Sequence, residues 1–118
     1  MRSILIINSP SVAESFKKVF TNLGWKVDSC TTHECATRKI VGSERYNVIL
    51  LSYQATVIEG IPLVRFIRSL DHRMTAGVVM IADSADVNDE AKAAGVDEVL
   101  INPITVSNLI WAANQHLP

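Results

Sequence analysis

The chain has 118 residues, 48% hydrophobic and 19% charged, and its 11 basic and 12 acidic residues leave a formal net charge of -1. That length and balance give one domain with a single core and exclude a disordered chain, while the lack of a basic run argues against direct nucleic-acid binding. The longest aliphatic runs, Ile4–Ile7, Val48–Leu51 and Val78–Ile81, fall far short of the roughly 20 residues needed to span a bilayer, and the N-terminus is too weakly charged for a signal peptide.

The first element is a strand over Ser3–Ile7, a continuous β-branched run that suits burial on both faces of a parallel sheet. Ser11 and Glu14 then read as a capping box, and Val12, Phe16, Val19, Phe20 and Leu23 recur at helical spacing up to Gly24. Lys26–Ser29 is a weaker strand. A second helix starts near Thr31 or Thr32, turns Cys35, Ala36, Ile40 and Val41 inward, and ends at Gly42. Asn47–Leu51 is the third strand. The third helix runs over Ile61–Leu70, with Pro62 tolerated in its first turn. Gly77–Ala82 is the fourth strand, followed by a short Ala-rich helix over Val87–Ala94 that stops at Gly95. A weaker strand at Glu98–Ile101 and a last helix after Pro103 complete the order. Thr105 caps that helix, and Val106, Leu109, Ile110, Ala113 and Leu117 share its inner face, with Trp111 on the outer one.

Strand and helix alternate five times, which predicts a doubly wound α/β domain with a parallel sheet and a site beyond the strands' carboxyl ends. Asn8, Ser9, Ser29, Ser52, Tyr53, Ala82, Asp83 and Asn102 fall there. The loop Asn8-Ser9-Pro10-Ser11 has no glycine to cradle a phosphate, and Ser52 lacks the glycines of a nucleophile elbow. His33, His72 and His116 stand away from strand ends, so no serine–histidine pair forms. Cys30 and Cys35 have no further ligands to make a zinc site and read as small buried residues, which fits a reducing cytoplasm. Asp83, Asp86, Asp89 and Glu90 read as acids complementing a helix N-terminus rather than a metal cluster.

Tyr46-Asn47-Val48-Ile49-Leu50-Leu51-Ser52, Glu59-Gly60 with Ile67-Arg68, and Ala94-Gly95-Val96-Asp97-Glu98-Val99-Leu100-Ile101-Asn102-Pro103 match successive motifs of one family. The whole chain resembles the receiver domain of two-component response regulators, in a degenerate, pseudo-receiver form. The resemblance implies a flavodoxin-like fold with five helices, a five-stranded parallel sheet in the order 2-1-3-4-5, and a cis bond at Asn102-Pro103. It also implies that Asn8 and Ser9 stand where the family carries an acidic pair for Mg²⁺. Ser52 stands at the phosphoacceptor aspartate, Ala82 at the hydroxyl residue, Asn102 at the lysine, and Val99 at the switch aromatic.

Neutral oxygens are poor ligands for Mg²⁺, and without a carboxylate no acyl phosphate can form. The expectation is therefore a single receiver-like domain over 1–118, which could be the N-terminal part of a longer protein. It would be neither an enzyme nor a holder of metal or cofactor. It would act in the cytoplasm as a phosphorylation-independent interaction or regulatory module, on a protein partner, an attached output domain or a second copy of itself. Trp111 and Asp97 are its candidate interface residues. The alternative is a small-molecule sensor whose polar cleft is ringed by Asn8, Ser9, Ser52 and Asn102, with Tyr53, Val57 and Ile58 above it.

Overall fold

The computed structural model describes residues 2–55 and 58–117. Its elements in chain order are β1 (Ser3–Ile7), α1 (Pro10–Asn22), β2 (Lys26–Cys30), α2 (His33–Val41), β3 (Val48–Ser52), α3 (Gly60–Arg68), β4 (Gly77–Ala82), α4 (Asn88–Ala94), β5 (Glu98–Ile101) and α5 (Val106–Asn114). The five strands form one parallel sheet in the order β2-β1-β3-β4-β5. This is the doubly wound α/β architecture that the sequence predicts. A two-residue antiparallel ladder, Gln54–Ala55 against Ile58–Glu59, is added before α3. No helix among the described residues is long and apolar enough to cross a membrane.

Every residue of β1 and β4 is buried, because helices cover both faces of the sheet. Side chains alternate along each strand. Leu5, Ile7, Ile49, Leu51, Val78 and Met80 therefore pack beneath α2, α3 and α4 with Ile40, Val64 and Ile67. Ile4, Ile6, Val48, Leu50, Val79 and Ile81 face α1 and α5 with Phe20, Trp25 and Leu109. The continuous apolar runs thus supply two layers from one strand.

Three local expectations are corrected. There is no capping box at Ser11: Pro10 opens α1 and puts Ser9 at the N-cap, so Ser11 is already helical and its carbonyl accepts from Ser15 Oγ at 3.1 Å. Val106 is 55% exposed, because it opens α5 at the rim; Leu109, Ala112 and Ala113 make that helix's contact with the sheet. Val41 is likewise exposed at the end of α2. By contrast Thr32 caps α2 through the Cys35 N–H at 3.1 Å, Thr105 caps α5 through the Asn108 N–H at 3.1 Å, and the Asn102–Pro103 bond is cis.

The amino edge of the sheet is held by two arginines. Arg73 is 2% exposed and has no carboxylate partner among the described residues. Its guanidinium donates to the carbonyls of Ile40 (2.9 Å), Glu44 (2.5 Å), Lys39 (3.1 Å) and Gly42 (2.7 Å), and it lies over the Tyr46 ring at 5.0 Å. It therefore satisfies the carboxyl end of α2, where a cation complements the helix dipole. Arg68 threads past Gly95, the left-handed cap of α4 at φ 113°. It bonds the Gly95 carbonyl (2.9 Å), the carbonyls of Arg73, Met74 and Ala76, and Asp97 (2.8 Å). A side chain at position 95 would collide with the Arg68 stem.

Replacing Arg73 with Met keeps much of the volume but strands buried carbonyls, each costing about 1–3 kcal/mol when left without a donor. Arg73→Met is expected to lower the unfolding free energy by roughly 3 kcal/mol, read from urea denaturation.

Tyr46 gives a second expectation. Burial, and then its hydrogen bond to Asp28 Oδ2 (2.6 Å), push the phenol well above its ordinary value of 10.0. In the unfolded chain Tyr46 ionises near pH 10 while the folded chain keeps it neutral. Its contribution is therefore complete below pH 10 and declines above it, by up to about 1.4 kcal/mol per pH unit. Tyr46→Phe should flatten that alkaline decline in denaturation curves collected between pH 9 and 11.5.

Candidate functional site

Parallel strands end together, so β1, β3, β4 and β5 deliver Asn8, Ser52, Ala82 and Asn102 to one edge. Asn8 is 5% exposed and organises that edge. Its Nδ2 donates to Ser52 Oγ at 2.6 Å, its Oδ1 accepts from the Ser9 N–H at 2.8 Å, and its backbone N–H donates to the Cys30 carbonyl at 3.2 Å. Asn102 continues the sheet register through its N–H to the Ala82 carbonyl (2.8 Å), and its Nδ2 donates to Asp83 Oδ1 at 2.8 Å. Between these pairs lies a cleft of about 680 Å³, walled by Val12, Phe16, Ile81 and Val87 as well as by the polar groups. Among the described residues Asp83 is the one charged residue in its lining, and no lysine or arginine is present there.

Asn8, Ser52, Ala82 and Asn102 thus line one cleft, and Ser9 joins them through its backbone. Ala82 contributes a buried methyl-bearing side chain. Val99 is half-buried against the α2–α3–α4 layer, with no ring to move. Tyr53 borders the cleft, and its hydroxyl donates to Glu90 at 3.0 Å, a bond that pushes the phenol up. Val57 lies outside the described residues, as does the Ile58 side chain. Trp111 is 56% exposed on the outer face of α5, away from the cleft. Asp97 Oδ2 is taken up within the chain, by Arg68 and by the Val78 N–H at 2.8 Å.

The expectation of small buried thiols is corrected. Cys30 and Cys35 are joined in a disulfide that ties the end of β2 to α2, because the helix's first turn folds back over the strand end.

The donor set does not fit Mg²⁺. That hard cation is bound through one or two carboxylates, and Asn8 and Ser52 are neutral and already bonded to one another. Asp83, the only carboxylate in the lining among the described residues, has one oxygen occupied by Asn102. No group of three or more acidic, histidine or cysteine residues suited to a metal occurs among the described residues.

No family model and no curated protein matches the chain. Solved structures do. The chemotaxis response regulator CheY4 of Vibrio cholerae aligns with a TM-score of 0.89 at 20% identity, over 99% of each chain. A two-component response regulator from Clostridium difficile aligns at 0.86 and 24% identity, over 98% of this chain and 95% of that one. The receiver domain of a sensor histidine kinase from Pseudomonas aeruginosa aligns at 0.83 and 19% identity, over 97% and 95%; that protein has magnesium coordinated in its active-site cleft. The chain has the receiver fold.

Within the receiver fold the Glu59-Gly60 match gains a physical reason. A side chain at position 60 would sit 2.6 Å from the Ser52 carbonyl oxygen and 2.9 Å from that of Tyr53. The Gly60 N–H also donates to the Tyr53 carbonyl at 2.9 Å. Glycine here lets α3 start directly against the end of β3, fixing where Ser52 stands. Gly60→Ala is expected to cost about 1–3 kcal/mol of stability and to shift the Ser52 amide resonance, because backbone cannot yield as a flexible side chain does.

Proposed function

We propose that this domain is a pseudo-receiver: a phosphorylation-independent interaction module of signal transduction, not an enzyme, working in the cytoplasm. The observation that carries the reading is the Asn8–Ser52 hydrogen bond, which occupies the strand-end position with two neutral groups. A serine hydroxyl stays protonated at neutral pH and needs a base to become a nucleophile. Among the described residues neither a histidine nor a basic residue lines the cleft, so a transferring phosphoryl group would find neither activation nor charge neutralisation. With the cleft silent, the output is a standing surface read by a protein partner or an attached output domain. The exposed Trp111 supports such a surface, since tryptophan is enriched among residues that dominate binding energy.

One observation favours a second reading. The cleft joins apolar walls to a few hydrogen-bonding groups, one of them the Asp83 carboxylate, the usual make-up of a small-molecule pocket. A ligand bound there would raise the melting temperature in proportion to the logarithm of its concentration.

The deciding experiment is intact-mass spectrometry of the domain with Mg²⁺ and acetyl phosphate, beside an NMR titration with Mg²⁺ and beryllofluoride. The mass is expected to stay unchanged, and Ser52→Asp alone should remain inert because the metal and lysine positions are still neutral. A stable gain of one phosphate on Ser52, or saturable shifts at Asn8 and Ser52, would overturn the reading.

A further inference from the structure

Cys30 closes β2 and Cys35 stands third in α2, with Cα atoms 5.5 Å apart, inside the span that a disulfide bridges. The two half-cystines differ in their surroundings. Cys30 is 1% exposed and packed in the layer that holds Ile7 and Ala36. Cys35 is half-buried, preceded by four exposed residues, and lies in a helix first turn, where partial positive charge favours a thiolate. An incoming reagent therefore meets Cys35 first. Cys30 in turn accepts the backbone N–H of Asn8, whose side chain holds Ser52.

We propose that Cys30–Cys35 is a thiol–disulfide exchange site, opened through Cys35 by a small thiol and coupled through the Cys30 carbonyl to Asn8 in the cleft. In reduction, an external thiolate attacks Cys35 Sγ. The S–S bond breaks, its electron pair leaves on Cys30 Sγ, and that sulfur takes a proton from the medium. A second external thiolate displaces Cys35 from the mixed disulfide, and Cys35 is protonated in turn. Two electrons and two protons enter the protein, and the reductant leaves as its own disulfide. Oxidation by a glutathione-class disulfide reverses these steps, with the Cys35 thiolate attacking and Cys30 resolving. Reduction unclamps the turn between β2 and α2, and the Cys30 carbonyl passes that change to Asn8.

The test uses the chain in defined glutathione and dithiothreitol buffers, trapped with iodoacetamide and weighed intact. No alkyl groups are expected after oxidised glutathione, and two after dithiothreitol. With oxidised glutathione, Cys30→Ser should gain one glutathione on Cys35 at least about tenfold faster than Cys35→Ser gains one on Cys30, since access and thiolate character set the rate. If either variant fails to fold, peptide mapping of the unaltered chain under limiting reduced glutathione answers instead, with glutathione expected on Cys35. The Asn8 backbone and side-chain amide signals should shift between the two redox states. Two alkyl groups without prior reduction, equal rates at the two cysteines, glutathione on Cys30, or unmoved Asn8 signals would each overturn the proposal.

Discussion

A sheet whose five strands run the same way and are covered on both faces meets solvent only at its strand ends and along its two edge strands. That constraint orders the rest of the molecule. It demands apolar residues at successive positions, as in β1 and β4, and forces every connection to pass over a face as a helix. It also gathers four strand ends into one cleft while the loops that return from the helices collect at the opposite edge.

The two edges are held by different chemistry. At the amino edge, Arg68 and Arg73 reach eight backbone carbonyls and one carboxylate between them. These are charge-assisted bonds, stronger than neutral ones, and most of them are at least partly buried. At the carboxyl edge the corresponding bonds are amide to hydroxyl and amide to carboxylate. A catalytic receiver would crowd like charges there and accept the repulsion as part of its function. Here a single carboxylate, Asp83, faces amide and hydroxyl groups, so like charges do not crowd together.

Strands and caps were the most legible parts of the sequence. The three long β-branched runs leave no polar face, and Thr32 and Thr105 stand where a hydroxyl must meet an unpaired amide. The register of the pocket residues followed from the strand ends, although the Asn8–Ser52 bond joins positions 44 apart and could only be seen in the fold. Three features were hidden for physical reasons. Two cysteines five apart carry the same local pattern whether bonded or free, because the approach depends on how α2 folds back on β2. A lone arginine after a helix reads as a solvated charge, so nothing near Arg73 announces that its acceptors are carbonyls more than 25 residues earlier. Ser11 and Glu14 had the spacing of a capping box, but the proline at position 10 claimed the helix start.

Among the described residues no carboxylate stands opposite Arg73, which has its own consequence. A guanidinium balanced by peptide dipoles has no counter-charge that mobile ions can shield or acid can remove. Ionic strength acts on pairs of separated, solvent-facing charges such as Lys26 with Glu44, and it fades where the compensating groups are oriented bonds inside the fold. The hold of Arg73 on this edge is therefore expected to change little with ionic strength, while the more exposed Arg68–Asp97 pair beside it is open to screening.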